Sequence, residues 1–176
     1  MTDKPLIILA SARKQGYTSD FLNKVFANID HKLIDLLDFR VYPYNYSNNY
    51  PDDDDFQKIT DELLLHKVIV FATPVYWYAM SGLMKTFFDR FTDLVTIKKQ
   101  LGKQLKGKSI FLLAAGTDPE LPNGFEIPFK LTSEYLNMTY KEYIYYSTRF
   151  PKTGKILQEA INFFTAKIET VLSTIS

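Results

Sequence analysis

The chain contains no cysteine in its 176 residues. That removes disulfide frameworks, thiolate nucleophiles and Cys-ligated zinc or iron–sulfur centres from the chemistry open to it. Net charge is nearly absent as well. Its 21 Lys and Arg against 20 Asp and Glu leave +1 at pH 7, with no broad electrostatic footprint for nucleic acid or an anionic membrane. The longest apolar runs, such as Leu6 to Ala10 and Ile110 to Ala115, fall far short of the roughly 18 residues of a membrane-spanning helix. No charged n-region and apolar h-region of a secretory leader precede them. The expectation is a cytoplasmic protein with no nucleic-acid and no membrane partner. Glycine is sparse, at seven positions, so each one present invites a reason.

What the chain has in quantity is apolar and aromatic residues, with 46% hydrophobic, 14 Phe and 12 Tyr. At this length roughly 70% of the unfolded surface can be buried, enough for one domain spanning residues 1–176. Short apolar runs alternate with stretches of helical period, the pattern of a parallel sheet covered by helices on both faces. Strands are expected at Leu6 to Ala10, Leu33 to Leu37, Val68 to Ala72, Ser109 to Ala115 and Thr139 to Tyr146. Helices are patterned by Phe21, Leu22, Val25, Phe26 and Ile29, then by Phe56, Ile59, Leu63 and Leu64. A very regular stripe follows at Met80, Leu83, Met84, Phe87, Phe88 and Phe91, another helix covers Phe125 to Leu136, and a long one begins after Pro151. Asp38 to Asp55, with Tyr42, Tyr44, Tyr46 and Tyr50, has no clean period and reads as a long ordered loop.

Central strands are buried on both faces, whereas edge strands tolerate polar residues. Strands one, three and four are uniformly apolar, while Asp35 interrupts strand two and Lys141 and Glu142 sit in strand five. The fold class is therefore α/β, a three-layer sandwich with a five-stranded parallel sheet of the flavodoxin-like order 2-1-3-4-5. In that order the topological switch point lies between strands one and three, where ligands of open parallel sheets bind at the carboxyl ends. Two loops meet there, Ser11 to Ser19 and Thr73 to Ser81.

The first loop reads Ser11-Ala12-Arg13-Lys14-Gln15-Gly16-Tyr17-Thr18-Ser19. Hydroxyls, a guanidinium and the free N–H groups of a helix N-terminus together favour an anion such as a phosphate. The plainer reading is a helix cap at Thr18 or Ser19 with Arg13 and Lys14 in solvent. The spacing is neither a Walker A loop nor a three-glycine dinucleotide fingerprint. The second loop, Thr73-Pro74-Val75-Tyr76-Trp77-Tyr78-Ala79-Met80-Ser81-Gly82, sets three adjacent aromatics at a strand's end. Some of these serve the core, but Tyr76, Trp77 and Tyr78 cannot all point inward, and at least one faces a ligand, for which a flat heteroaromatic is suited, or a partner.

With Ser11-x-Arg13-x-x-Gly16-x-Thr18, then Thr73-Pro74-Val75-Tyr76-Trp77 followed by Met80-Ser81-Gly82-Leu83-Met84-Lys85 and Phe88-Asp89-Arg90, the sequence resembles the NADPH-dependent FMN reductase family of flavodoxin-like proteins. The resemblance implies FMN, its phosphate held by Ser11, Arg13, Thr18 and the backbone of Gln15 and Tyr17. The isoalloxazine would lie along Pro74, Val75, Tyr76, Trp77 and Tyr78, with Gly116 and Thr117 of a third loop at its other edge. Tyr17 and Tyr78 stand where family members commonly carry small residues. The implied activity is hydride transfer from NADPH or NADH as co-substrate to bound FMN. From there it passes to a small-molecule acceptor, whether a quinone, azo compound, metal ion or free flavin. No side chain is then required as a catalytic residue, and a homodimer is implied.

Other readings stay open beside this one: a flavodoxin-type electron carrier, against which the +1 balance argues, or a flavin-free interaction protein on the same fold. His31 and His66 precede strands two and three, at the end of the sheet away from the two loops, and read as partners of exposed carbonyls. Asp52 to Asp55 read as dipole-complementing residues ahead of a helix, with no metal site expected. Lys98, Lys99, Lys103, Lys106 and Lys108 read as a solvated basic loop.

Overall fold

The computed structural model describes residues 4–174, in which five parallel strands form one sheet of order β2-β1-β3-β4-β5. The strands are β1 (Leu6–Leu9), β2 (Lys32–Asp35), β3 (Val68–Pro74), β4 (Ser109–Gly116) and β5 (Thr139–Ser147). The helices are α1 (Tyr17–Val25), α2 (Phe56–Leu65), α3 (Gly82–Asp89), α4 (Phe91–Val95), α5 (Lys99–Lys103), α6 (Ile127–Tyr135) and α7 (Gly154–Ser173). The order is the one inferred from strand apolarity, and β1 shows why. Leu6, Ile8 and Ala10 join the core on one face of the sheet, while Ile7 and Leu9 join the core on the other, so an all-apolar strand finds a hydrophobic layer on both sides.

The first layer belongs to α2, α3, α4 and α6, and phenylalanine dominates it. Phe71 of β3 meets Phe88 edge-on at 5.0 Å, Phe88 meets Phe91 and Phe129 at 5.2 Å, and Phe56 meets Phe87 at 5.7 Å. The second layer is supplied by α1 and α7 through Phe21, Leu22, Leu157, Ile161, Phe164 and Ile168. Among the described residues no helix is long and apolar enough to cross a membrane.

Several elements differ from what periodicity alone suggests. The Met80-to-Phe91 stripe is two helices, α3 and α4, meeting at Arg90, whose side chain is drawn inward and is 1% exposed. Its Nη1 and Nη2 donate to both oxygens of Asp54 at 2.8 Å, its Nε donates to Asp93 at 2.8 Å, and its Nη1 reaches the Tyr42 carbonyl at 3.0 Å. The Tyr50 ring lies 3.5 Å from the guanidinium carbon. The acidic run therefore does not cap α2: Asp54 holds Arg90, Asp53 pairs with Arg40, and Asp55 accepts from the Arg40 backbone N–H and from Lys58. Charged partners outcompete the weaker dipole interaction. His31 and His66 bond carbonyls as expected, those of Ile29 and Lys4.

The basic stretch is not a solvated loop throughout. It contains α5, and Lys108 is buried, donating from Nζ to the carbonyls of Leu64 at 2.9 Å and His66 at 2.6 Å. Burial pulls its pKa down from 10.5 to about 8. Between those values the unfolded chain binds more protons than the folded one, so stability rises with pH across the window, and the penalty of the buried cation is fully present below it. Relative to a Lys108→Met variant, wild-type unfolding free energy is expected to rise by on the order of 1–3 kcal/mol from pH 8 to 10.5. Urea titrations across that range check this, and a constant difference between the two proteins refutes it.

Candidate functional site

β1 and β3 lie side by side at the centre of the sheet, and the chain leaves their carboxyl ends toward opposite faces, α1 on one and α3 on the other. One buried side chain fixes the geometry between the two exits. The Ser81 hydroxyl donates to the Ala10 carbonyl at 2.7 Å and accepts from the Met84 N–H at 3.1 Å, capping α3. Its backbone N–H donates to Thr73 Oγ1 at 3.0 Å. The end of β1, the end of β3 and the start of α3 thus share one knot.

The first loop reaches α1 through Gly16, whose backbone is extended, and Ser19 closes the turn by bonding both the N–H and the carbonyl of Gly16. Arg13 folds back over Gly16, so that a Cβ there would meet its Nε at 2.6 Å. Lys14 points elsewhere, paired with Asp38, which raises its pKa, and close to Asp35. Ser11 and Thr18 are buried. Their hydroxyls and the Arg13 guanidinium make no hydrogen bond or ion pair to other described residues, and all three line one cavity. Unpaired donors beside the N-terminus of the nine-residue α1 are an arrangement that could accept an anion.

The second loop is a tight hairpin. Tyr76 and Ala79 exchange both backbone hydrogen bonds, at 2.9 and 3.0 Å, while Trp77 and Tyr78 sit at φ 50° and 64°. Two left-handed residues at the tip define a type I′ turn, normally the place of Asn and Gly. Aromatic residues there carry a cost of roughly 1–2 kcal/mol each. The rings are held out from the protein, with Tyr76 48%, Tyr78 68% and Trp77 94% exposed. The base of the hairpin is tied to the third loop by Val75 N–H donating to the Ala115 carbonyl at 2.7 Å. The amides of Trp77 and Tyr78 have no partner among the described residues.

The third loop leaves β4 at Gly116, pressed between Val75 and Tyr145. A Cβ at Gly116 would lie 2.8 Å from the Tyr145 hydroxyl and 3.1 Å from Val75 Cβ. Tyr145 donates to the Asp118 carbonyl at 2.9 Å, and burial, with the nearby Asp118 charge, raises its pKa. The three loops enclose a cavity of about 190 Å³ lined by Ser11, Arg13, Tyr17, Thr18, Pro74, Val75, Tyr76, Ala115, Gly116, Thr117 and Thr148. Of the residues singled out in the sequence, Gln15, Trp77 and Tyr78 fall outside this lining. Thr148 was missed. It follows β5, and its N–H donates to the Gly116 carbonyl at 2.7 Å, a placement that only the β4–β5 pairing reveals.

A larger depression of about 480 Å³ runs beside β5 and α7. Two of its acids are engaged, Glu126 by Tyr140 and Lys130, and Glu142 by Lys167 and the Tyr143 N–H, and it lies away from the exits of β1 and β3. No group of three or more His, Cys, Asp or Glu among the described residues could hold a metal ion.

Comparison with known proteins bears on the family and the fold. A family model described as NADPH-dependent FMN reductase matches residues 4–121. YwqN of Bacillus subtilis (strain 168), provisionally named an NAD(P)H-dependent FMN-containing oxidoreductase, is 26% identical over 150 residues, covering 80% of this chain and 83% of that protein. Among solved structures, the Trp repressor binding protein from Bacillus subtilis superposes with a TM-score of 0.67 at 24% identity, over 94% of this chain and 97% of that one. An NADPH-quinone reductase from P. pentosaceus gives 0.68 at 16% identity, over 93% and 96%. These last two share the fold.

The close approach at Gly116 makes the cavity testable. Gly116→Ala is expected to cost about 1–3 kcal/mol of stability by overpacking. Adding Tyr145→Phe, which deletes the nearest atom, is expected to return part of that loss. Chemical denaturation of the two single variants and the double variant measures this, and strictly additive losses contradict it.

Proposed function

The chain belongs to the NADPH-dependent FMN reductase family of oxidoreductases, and from that membership we propose that its three convergent loops hold FMN at the end of the sheet. The observation that carries the proposal is the set of unpaired donors at the start of α1. Ser11, Thr18 and Arg13 present two hydroxyls and a guanidinium to one cavity, matching a phosphate's acceptor oxygens. The helix N-terminus adds its amides and dipole. Pro74, Val75, Tyr76, Ala115, Gly116 and Thr117 form the adjoining wall, of the apolar and backbone character that suits a flat ring.

FMN bound there would supply the redox chemistry, hydride transfer from NADPH or NADH and reduction of a small acceptor such as a quinone, azo compound, metal ion or free flavin. The chain's part is to bind and orient. Arg13 neutralises the phosphate charge, and Ser81 holds the two loops in register. The hairpin is tied at its base and keeps the wall of Pro74, Val75 and Tyr76 fixed beside the ring. No His, Asp, Glu or Lys among the described residues lines the cavity, so orientation and fixed dipoles carry the protein's contribution. The same reading takes the chain as one FMN-binding domain acting in the cytoplasm, where its nucleotide reductant is drawn from the cell's own pool. It also takes the chain as a homodimer, supported by Ile127, Leu131 and Tyr135, which repeat every fourth residue of α6 and are 53%, 58% and 74% exposed.

Purified protein mixed with excess FMN and desalted is expected to retain flavin absorbance, or to show saturable binding on titration, and to bleach anaerobically with NADPH or NADH. Bound flavin that neither nucleotide bleaches favours an electron carrier, and no binding at all defeats the proposal. Arg13→Ala is expected to weaken FMN by about 10- to 100-fold while changing riboflavin affinity little. An equal loss for both ligands removes Arg13 from the phosphate.

A further inference from the structure

Trp77 and Tyr78 occupy the hairpin tip in a backbone conformation that an Asn-Gly pair adopts without steric penalty. Both legs beneath them are fixed. Tyr76 and Ala79 exchange two hydrogen bonds, Val75 is tied to Ala115, and Ser81 is tied to Thr73 and Ala10. The tip is therefore rigid as well as strained. The rings contribute almost nothing to the core, since Trp77 is 94% exposed and Tyr78 68%. Nor do they line the cavity, whose wall ends at Tyr76. A strained turn that holds two large rings in water gains nothing for the free protein. What it supplies is a preset flat surface beside the cavity.

We propose that Trp77 and Tyr78 are specificity-determining residues. They form an aromatic wall on which a flat conjugated acceptor of the quinone or azo class stacks, favouring that class over small inorganic acceptors. The inference rests on the FMN reading of the cavity. It separates two roles within one loop, with Tyr76 in the cofactor wall and the next two rings in the acceptor's path. Stacking needs no charge on either partner, whereas an inorganic oxidant gains nothing from a ring face of this kind. The wall therefore acts on acceptor affinity and leaves FMN affinity alone.

Two double variants separate the rings from the strain. Trp77→Asn/Tyr78→Gly removes both, and Trp77→Ala/Tyr78→Ala removes the rings while keeping left-handed non-glycine residues. The first is expected to melt about 3–6 °C above wild type. In both, KM for 2-methyl-1,4-naphthoquinone is expected to rise about tenfold more than KM for ferricyanide, with the FMN dissociation constant within about threefold of wild type. Trp77 is the only tryptophan of the chain, so intrinsic tryptophan emission reports this position alone. In the FMN-loaded wild type, the naphthoquinone is expected to quench that emission saturably. Parallel KM changes for the two acceptors, or quenching linear in quinone, overturn the wall. FMN affinity falling with the rings assigns them to the cofactor instead. A wild-type protein that binds no FMN overturns the cavity reading first and the wall with it.

Discussion

The hydroxyl of Ser81, buried at the junction of β1, β3 and α3, is the contact on which the geometry of the site depends. It gives one hydrogen bond to the Ala10 carbonyl just past β1 and takes one from the first turn of α3, while the backbone N–H of Ser81 donates to Thr73 Oγ1. Each such bond contributes about 1 kcal/mol net, but an orphaned buried carbonyl or amide costs about 1–3 kcal/mol. The three segments are therefore held in a single mutual arrangement. The two loops that leave β1 and β3 take their relative placement from that arrangement. The Ser11-to-Ser19 loop hangs from β1 and the aromatic hairpin from β3, and the knot sets their separation.

A second buried polar centre, Arg90, does for the long tyrosine-bearing segment what the sheet does for the strands. Residues 39–55 form no strand or helix, so their order must come from side chains. Arg90 supplies it by reaching Asp54, Asp93 and the Tyr42 carbonyl at once, with Tyr50 and Phe56 against its guanidinium plane. A charge this deeply buried is tolerated because all its partners converge on it. Removing one partner of such a group is costly, even where the pair adds little to net stability. The segment is thereby bound to the α3–α4 junction, on the face opposite α1 and α7.

The site combines two kinds of local expense. Unpaired donors at Ser11, Arg13 and Thr18 forgo internal hydrogen bonds, and Trp77 and Tyr78 forgo a relaxed backbone. Elsewhere among the described residues the left-handed non-glycine residues are Asn48 and Asn137, a residue type that takes that backbone at little cost, and the buried cations are paired, Lys108 with two carbonyls and Arg90 with Asp54, Asp93 and the Tyr42 carbonyl. Costly left-handed aromatic residues beside unpaired donors are the kind of local expense that functional sites carry.

Strand apolarity by itself determined the sheet, because a strand buried on both faces must be apolar throughout and the edge strands need not be. That pattern also located the switch point and the Ser11-to-Ser19 and Thr73-to-Ser81 loops that meet there. Periodicity located the Met80-to-Phe91 stripe but could not show its break, since Arg90 turns inward only because Asp54 waits 36 residues earlier in the chain. Likewise Lys108 looked solvated among other lysines until the carbonyls of Leu64 and His66 were brought to it. Thr148 reaches the cavity only through strand pairing, and Trp77 and Tyr78 stand outside it only because the hairpin tip turns left-handed. Local pattern is written in neighbouring residues, whereas pairing across the chain and the sign of a backbone angle are settled by what the folded surroundings leave available.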